Sequence, residues 1–254
     1  MPVRPCMGGQ EGTEHIRGEM VIQHIGIVAC TAQGAALCYR TICSEGEFLM
    51  GKHAHPEVTM HTYSLHKYLR LIEKDDWGGI AALLASSSEK VAKAGADFIV
   101  CPNNTVHHVF DEVFARSPRP WLHIAEEVAE EAVRCRYQQV GVLGTRSLME
   151  GSVYASKFEA LNLEHRIPSL GERIRVSEII LSELIRGRFT IESRSYLAGV
   201  IGRMQQEGCD AVVLGCTELP LLIAEADSPL PLLDSTRILA RAALWRAASM
   251  ACSS

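Results

Sequence analysis

The chain has 254 residues and a mass of 27.9 kDa, enough for about two domains of roughly 100 to 200 residues with a real core. Hydrophobic residues make up 47% and charged residues 22%, which argues against a disordered chain or a coiled coil. A formal net charge of -5 and a sequence pI near 6.1 argue against a phosphate backbone as the main partner, so no nucleic-acid role is expected. The longest apolar runs, such as residues 80–85, fall far short of the roughly 20 residues that cross a bilayer, so no membrane partner is expected.

The first twenty residues carry no apolar core of signal-peptide length, which places the expected chain in the cytoplasm. Residues 1–20 read as a disordered extension, and Met20, directly before the first strand-like run, is an alternative start. Short Val- and Ile-rich runs at 22–29, 57–63, 97–101, 139–144 and 210–215 are predicted strands. Long segments such as 80–94 and 124–135 read as the helices between them, which is the order of a parallel α/β sheet. The nine cysteines are odd in number and irregularly spaced, with no Cys-x-x-Cys pair, so they read as reduced thiols.

The run Ile25-Gly26-Ile27-Val28-Ala29-Cys30-Thr31 recurs as Val140-Gly141-Val142-Leu143-Gly144-Thr145, with Gly26 and Gly141 separated by 115 positions. A second echo links Ala94-Gly95-Ala96-Asp97 with Glu207-Gly208-Cys209-Asp210, at an offset of 113. Two echoes in the same order at nearly equal spacing imply two similar α/β lobes. The expected division is 21–120 plus 225–254 for the first lobe and 121–224 for the second, with breaks at 77–79, 117–120 and 229–231 and a C-terminal helix from Ser235 returning to the first lobe. Facing strand ends would then line one cleft, where α/β sheets bind ligands.

These residues resemble the aspartate/glutamate racemase superfamily, in particular its aspartate racemase branch, over residues 22–244. The resemblance rests on His55-Pro56-Glu57, Asn104-Thr105-Val106-His107, Leu143-Gly144-Thr145, Leu214-Gly215-Cys216-Thr217-Glu218 and Pro231-Leu232-Leu233-Asp234. It implies two α/β lobes related by a pseudo-twofold, an active site between them, a homodimer, no cofactor, and two opposed cysteines as acid and base. Inverting an α-carbon needs proton carriers on both faces of the substrate. A thiol at a strand end leading into a helix N-terminus is expected to ionise more readily.

Cys216 matches the second-lobe cysteine. At the first-lobe position stands Asn103, whose amide cannot carry the proton, and Cys101 is two residues earlier, about 6.6 Å away in an extended chain. Cys30, at the end of the first strand, is the other candidate carrier. The substrate-binding candidates are Thr31, Tyr63, Asn104, Thr105, Thr145, Thr217 and Glu218. The resemblance also implies an arginine for the substrate's distal carboxylate; here only Lys67 and Arg70 stand nearby, displaced, so His61 and Tyr63 could serve a larger or aromatic acid instead. Ten histidines do not show a recognised metal spacing, and neither a P-loop nor a dinucleotide fingerprint occurs, so no metal or cofactor is expected. Asn103 and Asn104 can alternatively cap a helix.

The expected function is therefore cofactor-independent racemisation of an amino acid, by proton transfer at the carbon alpha to a carboxylate with Cys216 as acid/base. Two alternatives stand beside it. One is a one-base decarboxylase or isomerase of an organic acid, as in arylmalonate decarboxylases, which belong to the same superfamily and keep the second-lobe cysteine alone. The other is an inactive carboxylate-binding homologue.

Overall fold

The computed structural model describes residues 22–249, so the extension expected at 1–20 lies outside the described residues. Two separate parallel sheets organise the chain. In the first, β1 (Ile25–Ala29) leads through α1 (Ala32–Met50) to β2 (Val58–Thr62), then through α2 (Leu65–Ile72) and α3 (Trp77–Lys93) to β3 (Phe98–Val100), in the order β2-β1-β3. A 3-10 turn (Thr105–Val109), α4 (Phe110–Arg116) and α5 (Ile124–Arg134) follow. The second sheet begins with β4 (Gln139–Leu143), α6 (Arg146–Glu150), α7 (Ser152–Ala160) and β5 (Glu164–Arg166). It continues with α8 (Leu170–Ser182), α9 (Ile191–Gln206), β6 (Ala211–Leu214), α10 (Leu219–Leu222), β7 (Leu232–Asp234) and α11 (Ser235–Ala248), in the order β5-β4-β6-β7.

Strands buried on both faces need an apolar residue at every position, and β1, β3 and β6 satisfy this with fully buried residues. Along β1 the strand period sends Ile25, Ile27 and Ala29 toward α1 and α11, and Val28 and Cys30 toward α3. Edge strand β5, Glu-His-Arg, is exposed throughout, which is why hydrophobicity does not reveal it. Residues 77–79 are not a break: Trp77 opens α3, Asp76 accepts the Gly79 N–H at 2.8 Å, and a β-carbon at Gly79 would stand 2.7 Å from Leu71 and Asp76. The cap and this close approach explain the glycine.

The lobe boundaries also differ from expectation. Trp121 forms a parallel bridge with Ile99 and so extends the first sheet, whereas β7 pairs with β6 through Val212 and Leu232 and completes the second. The 225–254 segment is therefore divided, with β7 in the second sheet and α11 on the first. The helices after these two segments change sides. Ala125, Val128, Ala129 and Ala132 of α5 pack with Val140, Val142 and Phe158 of the second sheet and α7. Leu239, Ala240, Ala243 and Ala247 of α11 pack with Ile25, Ile27 and Phe98 of the first. A bidentate Arg241–Glu45 pair, at 2.8 and 2.9 Å, adds a polar link between α11 and α1.

A buried hydrogen-bond chain joins the lobes. The Tyr154 hydroxyl on α7 donates to Asn104 Oδ1 at 2.6 Å, Asn104 Nδ2 donates to Ser235 Oγ at 3.0 Å, and the Ser235 hydroxyl donates to the Leu214 carbonyl at 2.9 Å. All three side chains are buried, so each polar atom depends on its partner. Tyr154→Phe leaves Asn104 Oδ1 without a donor and is expected to cost about 1–3 kcal/mol in urea unfolding.

The repeated glycines test the packing of the two central strands. A β-carbon at Gly26 would stand 2.9 Å from Ala96 Cβ and Val91 Cγ2, whereas at Gly141 the nearest atom is the flexible end of Met204. Gly26→Ala is expected to destabilise by about 1–3 kcal/mol, and Gly141→Ala by less, because Met204 can move aside.

Candidate active site

The carboxyl ends of the two sheets face each other. Thr31, after β1, places its hydroxyl 3.4 Å from that of Thr217, after β6. Gly34 in the first turn of α1 fits so closely that an added β-carbon would stand 2.5 Å from Thr217 Cγ2 and 2.7 Å from the Pro102 carbonyl. Thr31 also caps α1, accepting the Gly34 N–H at 3.2 Å. On the second-lobe side, Gly215 donates to the Leu143 carbonyl at 2.7 Å, which sets the Gly144-Thr145 and Gly215-Cys216 turns side by side.

Cys216 is partly exposed at this junction, and its thiol donates to Glu218 Oε2 at 3.0 Å. The Thr217 hydroxyl donates to the same oxygen at 2.7 Å. Glu218 and Thr217 are both buried. Burial and then the Glu218 carboxylate push the Cys216 thiol well above its ordinary range, and the backbone N–H groups of Glu218 and Thr217 offset this only in part. The expected lowering by a helix N-terminus does not occur, because α10 has four residues and the nearest charge is a carboxylate. At rest the site holds a protonated thiol aimed at a proton acceptor.

Across from it, Asn103 caps the 3-10 turn: its Oδ1 accepts the Val106 N–H at 3.3 Å, and its own N–H donates to the Cys101 carbonyl at 2.8 Å. Thr105 is partly exposed at the start of that turn, and Thr145 stands just before α6 with its hydroxyl 3.2 Å from that of Ser147. Two expected residues are placed elsewhere. Cys30 does not face the cleft; the strand period turns it into the α3-side core, 4.0 Å from Cys101 and packed with Tyr68. The Tyr63 hydroxyl is bonded to Lys90 and Ser86 on α3. Asn104 reaches the junction but engages its amide with Tyr154 and Ser235, a use that only the facing lobe reveals. Glu218 was legible as a site residue through its Gly-Cys-Thr-Glu context, though its partner is the thiol. Among the described residues no group of three or more His, Cys, Asp or Glu side chains converges to hold a metal ion.

His107 supports the Asn103 turn from below. The Ile124 N–H donates to its Nε2 at 3.3 Å, so Nδ1 carries the hydrogen and donates to the Asn103 carbonyl at 2.8 Å. Burial pushes the ring down to about 4, and neighbouring His123, the cap of α5, down to about 2. A histidine depressed in the folded state binds its proton first in the unfolded chain. Its stabilisation is complete above the unfolded value of 6.5 and is lost as the pH falls toward 4. His107→Asn is expected to flatten the pH dependence of the urea midpoint in that window, where one such group contributes a slope of at most about 1.4 kcal/mol per pH unit.

The family described as Asp/Glu/Hydantoin racemase matches residues 25–243. The broad specificity amino-acid racemase RacX of Bacillus subtilis (strain 168) is 26% identical over 152 residues, 60% of this chain and 65% of RacX, so the match spans less than two thirds of that relative. A Yersinia pestis protein assigned to the Asp/Glu racemases has a solved structure that superposes with a TM-score of 0.83 at 30% identity, covering 90% of this chain and 100% of that one. An aspartate racemase homologue from Pyrococcus horikoshii OT3 superposes with a TM-score of 0.78 at 27% identity and the same coverage. The facing parallel sheets, the thiol at their junction and the extent of these matches agree: the chain belongs to the Asp/Glu/Hydantoin racemase family.

Proposed function

We propose that this chain is an amino-acid racemase that moves the proton on the carbon alpha to a carboxylate, with Cys216 as acid/base and without metal or organic cofactor. The observation that carries this reading is the Cys216–Glu218 contact at the lobe junction. A thiol that is protonated at rest delivers a proton to a carbanion directly. To remove one it must first become a thiolate, and Glu218, already accepting its hydrogen, is the group that takes it. The Thr217 hydroxyl shares the carboxylate and fixes its direction. On the opposite face Asn103 cannot ionise, so the second proton is assigned to a water held at the Asn103–Thr105 turn. The similarity to RacX supports a range of amino acids rather than aspartate or glutamate alone.

A second reading, a one-base decarboxylase of an organic acid, is favoured by a specific observation. Cys30 is buried in the core and Asn103 is an amide, which leaves the protonated Cys216 thiol as the evident donor. Loss of carbon dioxide generates the carbanion, so protonation from one face completes the reaction.

Incubation in deuterium oxide with a panel of aliphatic, acidic and aromatic L-amino acids separates the two. Racemisation gives α-deuteration with both enantiomers. If no amino acid exchanges while a substituted malonate is decarboxylated and deuterated on one face, the racemase reading fails. Cys216→Ala is expected to lower turnover about 10²–10⁴-fold in either case. Glu218→Gln is expected to lower turnover while moving alkylation of Cys216 by iodoacetamide to lower pH, because the carboxylate no longer favours the protonated thiol.

A further inference from the structure

On the outer edge of the first sheet, His61 and Tyr63 on and just after β2 meet Ser86, Ser87 and Lys90 of α3. The Lys90 ammonium donates to the Tyr63 hydroxyl oxygen at 2.6 Å and to His61 Nε2 at 3.2 Å. An ammonium has no lone pair, so His61 Nε2 is the acceptor and Nδ1 carries the hydrogen, which it donates to Ser87 Oγ at 2.5 Å. Tyr63 Oη also lies 3.0 Å from Ser86 Oγ. The ring of Tyr63 sits beneath two cations, with Lys90 Nζ at 4.3 Å and Lys67 Nζ, from α2, at 4.9 Å from its centroid.

Among the described residues neither ammonium has an Asp or Glu within ion-pair reach. Two like charges thus meet one phenol with no counter-charge, and desolvation and then the Lys90 charge lower the proton affinity of His61. Lys90 has used two of its three N–H donors, Lys67 has engaged only the ring, and the Ser86 hydroxyl stands beside the same phenol oxygen that Lys90 meets. Such a set is complementary to a small oxyanion. These hydrogen bonds and cation–ring contacts of Tyr63, Lys90 and His61 all run between β2, α2 and α3 of the first lobe. Trp77, the first residue of α3, packs on His108 beside the Asn103 turn at 4.5 Å, and Lys90 lies thirteen residues further, about 20 Å along the helix axis.

We propose that Lys67, Lys90, Tyr63 and Ser86 form a second ligand site, outside the lobe junction, that binds one small oxyanion, a carboxylate or a phosphate. The net charge of -5 argues against a polyanion as its occupant.

The test titrates the full chain, labelled at histidine ring carbons, with sodium phosphate and separately with sodium acetate, at ionic strength held constant by sodium chloride. The His61 signal, identified by its loss in His61→Gln, is expected to shift saturably with at least one probe. Lys90→Met and Lys67→Met, both at exposed positions, are expected to weaken binding about tenfold or more with unchanged circular dichroism. Saturation by phosphate alone assigns a tetrahedral anion, and saturation by acetate a carboxylate. A linear response to both probes, equal affinity in both lysine variants, or a shift that chloride reproduces overturns the proposal.

Discussion

Asn104 commits one end of its amide to Tyr154 of the opposite lobe and the other to Ser235, which is bonded to that lobe's β6, and the geometry of the junction follows from that commitment. Its acceptor takes the Tyr154 hydroxyl and its donor reaches Ser235, which in turn holds the last carbonyl of β6 two residues before Cys216. Because every atom of this chain of bonds is shut away from water, breaking one bond strands its partner in a dry environment. The turn that carries Asn103 and the turn that carries Cys216 are therefore held in one relation by polar bonds of defined length. Apolar packing between lobes alone would set their separation less strictly.

The exchange of helices works in the same direction. Helix α5 leaves the first sheet and buries its alanine and valine stripe on the second, while α11 does the reverse. Each lobe core is completed by a helix from the other half of the chain, so neither core closes by itself. His107 couples this exchange to the site, since the hydrogen it receives from the first residue of α5 fixes the tautomer that supports Asn103.

Within that frame the proton inventory is asymmetric. The second lobe supplies a thiol, a carboxylate to take its hydrogen and a threonine to orient the carboxylate. At the first-lobe turn stand an amide and a hydroxyl, with the nearest thiols, Cys30 and Cys101, buried beneath them. A thiol beside a buried carboxylate favours its protonated form, so Cys216 stands as a hydrogen donor to Glu218.

Much of the architecture was legible in the residues themselves. The Val-Gly-Val and Ala-Gly-Ala-Asp echoes foretell two parallel sheets because a buried parallel strand demands a continuous apolar run, and Cys216 stands out through its Gly-Cys-Thr-Glu setting. Edge strand β5 was not legible, because three exposed polar residues pair through their backbone alone. Strand β7 was mistaken for part of the first lobe because pairing partners twenty residues apart leave no local signature. The sequence by itself determined the class of fold, the repeat and the thiol. Only the tertiary structure decided that Cys30 faces the core, that Asn104 ties the lobes together and that Glu218 receives the Cys216 hydrogen. Those roles depend on side-chain direction and on partners from distant segments, and neither is written in the identity of a single residue.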